Sequence, residues 1–219
     1  MRIGAKEKLV MIGDSVTDCG RKTPVGEGLF DALGKGYVAN VDSLLSAGYG
    51  ELGIRVVNMG TSGHTVRDLK ARWETDVLDL KPDWLSVMIG INDVWRQYDL
   101  PRMAEICVGL KEYEKTLREI LTAVRPSLKG LVLMTPYYLE PNKKDAMRKT
   151  MDSYGLAVKK IAKDFDAVFV DTQAAFDALW KDTYPASIGW DRVHPNQTGH
   201  MVLARAFLDG IGFDWTKRP

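Results

Sequence analysis

The chain holds three histidines, His64, His194 and His200, so any imidazole chemistry must use one of them. His194 follows Asp191 by three residues and directly precedes Pro195, which stiffens the loop. An aspartate so placed can bond one ring nitrogen, fix the tautomer and stabilise an imidazolium. The other nitrogen is then free to act as a base. A serine hydroxyl is a poor nucleophile until such a base takes its proton. Ser15, in Gly13-Asp14-Ser15, is the candidate nucleophile, and Asp14 beside it is an acceptor that can brace the turn. Ser62 and His64 form a rival local pair, read here as a turn and a helix start with Thr65 as cap. Cys19 has no base beside it in sequence and is read as packing, and His200 as packing or surface.

These groups need elements to position them. Five apolar, β-branched runs read as strands: Leu9 to Ile12, Ile54 to Asn58, Trp84 to Ile89, Leu131 to Met134 and Ala167 to Val170. Near-continuous apolar strands suit a parallel sheet buried on both faces. Helical spacing links Val38, Val41 and Leu45, then Val66, Leu69, Trp73 and Val77. It also marks a stretch around 101–124, then Met147 to Ile161, then Val202 to Phe207. Strands alternating with helices predict an α/β protein: a three-layer α/β/α sandwich on a central, mainly five-stranded parallel sheet. Ligands bind at the carboxyl ends of such strands. That rule points to Asp14-Ser15, to 58–64, to Gly90 through Asp93 and to 135–138.

Length and charge narrow the function. With 219 residues one domain, 1–219, is expected, with enough chain for a sizeable core. Lysine and arginine total 30 against 29 acidic residues, for a net charge of +1. That leaves no electrostatic footprint for nucleic acid or an anionic membrane. Two distant cysteines, Cys19 and Cys107, make neither a disulfide scaffold nor a zinc knuckle. The run Leu9 to Ile12 is too short for a signal-peptide core, and no stretch nears the roughly 18 apolar residues of a membrane span. A cytoplasmic location is therefore expected. Gly28 to Lys35 fails as a phosphate loop: five residues separate its glycines, and Gly36 stands where a magnesium-binding hydroxyl belongs. No Gly-x-Ser-x-Gly elbow occurs, against an α/β-hydrolase arrangement. No cofactor and no metal are expected.

Four blocks follow one another at the strand ends and before the last helix: Gly13-Asp-Ser15, Asn58-Met-Gly60, Gly90-Ile-Asn-Asp93 and Asp191-Arg-Val-His-Pro195. Together they resemble the SGNH hydrolase family, the GDSL esterases and lipases, from residue 9 to about 208. The resemblance implies a flavodoxin-like fold and the roles nucleophile Ser15, base His194 and orienting acid Asp191. It also implies an oxyanion hole made by the Ser15 and Gly60 backbone N–H groups and the Asn92 side-chain amide. Glycine at 60 would let backbone approach substrate, and Asp93 would brace the helix after Asn92. Activity is expected to rise with pH as the imidazole becomes neutral.

Longer segments are similar to bacterial acetylxylooligosaccharide esterases: Met11 to Ser15 with Thr17-Asp-Cys-Gly-Arg21, Thr65 through Trp73, Gly90 through Tyr98, and Trp190 through Pro195. This implies deacetylation of short xylooligosaccharides and a homo-oligomer. Polar and aromatic residues near the site suit a sugar ring better than a long acyl chain. They include Trp95, Arg96, Tyr98, Tyr137, Tyr138, Tyr184 and Trp190. Asp14, Trp95, Arg96, Tyr184 and Trp190 are the candidate substrate-binding residues. Two other readings stay open: a broad short-chain esterase, thioesterase or lysophospholipase, and a non-enzymatic carbohydrate-binding module.

Overall fold

A computed structural model of the chain describes residues 1–217. Its strands are β1 (Lys8–Gly13), β2 (Arg55–Gly60), β3 (Trp84–Met88), β4 (Gly130–Met134) and β5 (Val168–Val170). All pair in parallel, in the order β2-β1-β3-β4-β5. Leu9, Val10, Met11 and Ile12 are fully buried, because β1 is central and covered on both faces. Each such side chain contributes about 1.5–3 kcal/mol on burial.

The helices are α1 (Ser15–Asp18), α2 (Tyr37–Tyr49), α3 (Val66–Ala71), α4 (Ile91–Asp99), α5 (Leu110–Val124), α6 (Ala146–Asp164), α7 (Thr172–Leu179) and α8 (Gln197–Gly210). Helices α2, α7 and α8 pack together, as do α3, α5 and α6, with α4 on α6. The three-layer α/β/α architecture is as expected, with differences at the edges. The stripe around 101–124 becomes helical only at Leu110, after Gly109; Ala104–Ile106 is a single 3₁₀ turn. The pattern from Val66 to Leu80 is a short α-helix followed by a π-helical turn at Glu74–Leu78. Helix α7, which follows β5, was not expected.

Register decides where chemistry can occur. Gly13 pairs with Gly60 on one side and with Met88 on the other. The ends of β1, β2 and β3 therefore finish level. The chain leaves β1 toward β2 and returns past it to β3, so the strand order switches beside β1. That crevice is the ligand position of open α/β sheets.

Candidate active site

Strand β1 runs directly into the turn that carries Ser15. Asp14 caps α1, its Oδ1 accepting the Val16 N–H at 3.0 Å. The carboxyl is 2% exposed. Burial pushes it up to about 7, against the pull of the Val16 N–H. Asp14 thus braces the nucleophile turn from within. The assignment of Asp14 to substrate contact is corrected, because a carboxyl this buried cannot reach a ligand.

His194 comes from the loop before α8. Its Nδ1 lies 2.6 Å from Asp191 Oδ2, and its Nε2 lies 2.8 Å from Ser15 Oγ. With Nδ1–H donating to the carboxylate, Nε2 is the bare nitrogen and accepts from the serine hydroxyl. Asp191 Oδ1 accepts a second set of bonds, from the Val193 and His194 N–H groups at 3.0 and 2.8 Å. One carboxylate therefore folds its own loop with one oxygen and orients the imidazole with the other. Partial burial raises the Asp191 carboxyl. The His194 ring donor and the two backbone donors outweigh it and hold Asp191 below its ordinary value. Arg192 adopts left-handed backbone, φ 62°, which tightens the turn. The loop is tied down by the Tyr137 hydroxyl donating to Val193 O at 3.1 Å and by Leu139 N–H donating to Arg192 O.

The oxyanion side departs from expectation at one residue. The Gly60 N–H donates to Asn58 Oδ1 at 2.8 Å, and Gly60 is buried. A Cβ there would stand 2.1 Å from the Asp18 backbone nitrogen. Gly60 is glycine so that β2 can touch α1, and its N–H is already spent. Three residues on, Gly63 is exposed with φ +82° and open space where a Cβ would be. Its N–H has no acceptor among the described residues. It adjoins His64, whose carbonyl accepts Asn92 Nδ2 at 2.9 Å. The Asn92 amide has a second hydrogen to offer. Gly63, not Gly60, supplies the available donor in this turn. The signal was legible as a second glycine in Gly60-Thr-Ser-Gly63, but the Asn58 bond and burial separate the two. Replacing Gly60 with alanine should therefore cost about 3 kcal/mol of stability through overpacking, read as a lowered Tm. An unchanged Tm would contradict the contact.

Asp93 is fully buried and accepts the Val66 N–H at 3.0 Å. It braces the start of α3, not the helix after Asn92. Thr65 caps α3 in a capping box with Asp68, as expected.

On the Gly63 side of the site a cleft of about 390 Å³ opens, lined by Thr65, Arg67, Asp68, Arg96, Glu105 and Ile106 besides Gly63. Arg96 reaches toward Asn92 Oδ1 at 3.5 Å and lies over the Trp95 ring. Trp95 in turn meets the His194 ring edge-on, centroids 5.8 Å apart. Trp95 and Arg96 are thus at the site.

An ester cleaved here would meet a hydroxyl, a base and unspent donors on one sheet edge, the pattern of serine acyl transfer. The profile of the GDSL-like lipase/acylhydrolase family matches residues 11–202. The chain belongs to that family. An acetylxylan esterase of Geobacillus stearothermophilus is 63% identical over 217 residues, 99% of each chain. The crystal structure of Axe2, an acetylxylan esterase from the same organism, matches with TM-score 0.97 at 64% identity over 98% of each chain. Alanine variants of Axe2 at Ser15, Asp191 and His194, numbered as here, are described as catalytic mutants. LAE5, an alpha/beta hydrolase enzyme from the metagenome of Lake Arreo, matches with TM-score 0.96 at 51% identity, over 97% of this chain and 98% of its own.

Tyr184 and Trp190 are 76% and 85% exposed and project into solvent. Tyr98 donates to Ala146 O on α6, and the Tyr138 backbone N–H donates to Gln173. His200 is buried; its Nδ1 accepts the Tyr37 N–H at 3.2 Å, so Nε2–H points to Cys19 Sγ at 3.5 Å. Burial pushes His200 down to about 4 and the Cys19 thiol up, so the pair is neutral packing. No group of three or more His, Cys, Asp or Glu suited to a metal ion occurs among the described residues. No described helix is long and apolar enough to cross a membrane.

Proposed function

We propose that the chain, as one catalytic domain over 1–219, is a serine esterase that removes acetyl groups from short xylooligosaccharides. The observation that carries this is the unbroken series Ser15 Oγ, His194 Nε2, His194 Nδ1, Asp191 Oδ2 at 2.8 and 2.6 Å. Ser15 Oγ attacks the acetyl carbonyl carbon as its proton passes to His194 Nε2. The carbonyl oxygen becomes an oxyanion held by the Ser15 and Gly63 N–H groups and the Asn92 amide. Collapse breaks the ester bond, and the departing sugar oxygen takes the proton from His194. Water, deprotonated by the same nitrogen, then releases acetate and restores Ser15.

Fold alone does not choose a substrate. The acetylxylan esterase activity of the 63%-identical relative supports the sugar ester. So does the cleft at Gly63, whose walls carry Thr65, Asp68, Arg96 and Glu105. Those groups match sugar hydroxyls, whereas a thioesterase or lysophospholipase needs an apolar channel. A homo-oligomer accords with the exposed Leu29, Phe30, Tyr184 and Trp190, which are large apolar groups left to water in one chain.

The test compares acetylated xylooligosaccharide with p-nitrophenyl esters of two, four and eight carbons. Turnover should be highest on the sugar acetate and fall with acyl length. Turnover that rose with chain length and ignored the sugar would overturn the reading in favour of a general esterase. No hydrolysis of any ester would leave only the binding module.

A further inference from the structure

Arg72 stands where α3 ends and the π-helical turn begins. Its side chain is 12% exposed, and Asp76 is its counter-charge. Each nitrogen is spent on a specific acceptor. Nη2 donates to the Gly13 carbonyl at 2.8 Å. Nη1 donates to the Met59 carbonyl at 2.7 Å and to Asp76 Oδ2 at 2.6 Å. Nε donates to His64 Nδ1 at 3.0 Å. These acceptors lie on the segments that supply the oxyanion donors. Gly13 is two residues before Ser15. Met59 leads into the turn ending at Gly63. His64 adjoins Gly63 and holds the Asn92 amide through its carbonyl.

We propose that Arg72 is a positioning residue for the oxyanion hole, one planar guanidinium fixing the end of β1 against the β2–α3 turn, to which the Asn92 segment is tied through the His64 carbonyl. The inference rests on the esterase reading above. The parallel ladder ends at Gly13, Gly60 and Met88, and beyond it Arg72 adds a charged clamp to the bonds from Thr61 N–H to the Gly13 carbonyl and from Ser62 to Asp18. Donors aimed at a developing oxyanion work because they need no reorganisation when charge appears. A rigid fork holds divergent acceptors in one plane, which a lysine ammonium on a flexible stem cannot do. His64 serves as acceptor only while neutral, and burial together with the Arg72 charge keeps its pKa below the ordinary value.

Arg72 touches no reacting atom, so its loss should appear when charge develops and not when substrate binds. Arg72→Lys should lower kcat on p-nitrophenyl acetate by about 10²-fold, the cost of a misplaced site, with KM little changed and a lower Tm, because backbone carbonyls lose their donors. In an Asn92→Ala background the same substitution should cost a much smaller factor, because groups acting as a unit are non-additive. His64→Ala keeps the carbonyl but removes the Nε acceptor, and should lower kcat several-fold at unchanged KM; it decides the matter if Arg72→Lys does not fold. Unchanged kcat in the folded variants, or a fully additive cycle, overturns the inference. If Asn92→Ala itself keeps full kcat, the oxyanion assignment fails first. If Asn92→Ala is crippled while Arg72→Lys and His64→Ala are not, only the role of Arg72 falls.

Discussion

Ser15→Ala should lower kcat for acetyl ester hydrolysis by about 10⁴-fold or more, to the level that binding and the oxyanion donors sustain without a nucleophile. The hydroxyl bonds His194 Nε2, and both side chains are open to solvent. Its removal strands no buried group, so the thermal transition should stay where it was. The measurement is p-nitrophenyl acetate turnover beside a melting curve. Wild-type enzyme quenched in acid should carry an acetyl adduct on the peptide containing Ser15, and the variant should carry none. A folded variant with substantial activity would remove Ser15 from the mechanism.

Asp191→Asn should cost about 10⁴-fold in kcat, through the tautomer it imposes. Asp191 Oδ1 accepts two backbone N–H groups, so asparagine must keep its carbonyl oxygen there. Its NH₂ then faces His194 Nδ1 and donates to it. The ring proton moves to Nε2, which can no longer accept from Ser15. The loop keeps its turn, so Asp191→Asn should melt close to wild type. Asp191→Ala loses the turn acceptor as well and should melt lower. Kinetics and melting curves of both variants test this. Near-full activity in the asparagine variant would mean that Asp191 does not orient the base.

The sheet was legible because each buried strand is a short apolar run ending in glycine, threonine or aspartate. The triad was legible because a loop of four residues, Asp191 to His194, carries both members of the acid–base pair. The rest depended on contacts that one-dimensional spacing does not contain. Gly60 and Gly63 are told apart by the Asn58 side chain, which claims the Gly60 N–H, and by burial, and neither is visible in the sequence. Asp93 caps a helix that precedes it by 27 positions. The apolar spacing before Leu110 looked helical because Ile106 falls in phase with Leu110 and Tyr113, though Ile106 lies in a separate 3₁₀ turn. Arg72 lies within the segment Thr65 through Trp73 with no role assigned to it; two of its acceptors are backbone carbonyls, which leave no trace in composition.

The nucleophile follows the first strand, while its base and orienting acid lie on the loop before the last helix. During synthesis, Ser15 emerges with the first strand and waits, unactivated, through the assembly of the sheet. Hydrolysis begins only when α8 docks on α2 and brings the Asp191–His194 loop over β1. Catalytic activity is therefore a report that the last helix has docked: until then Ser15 has no base.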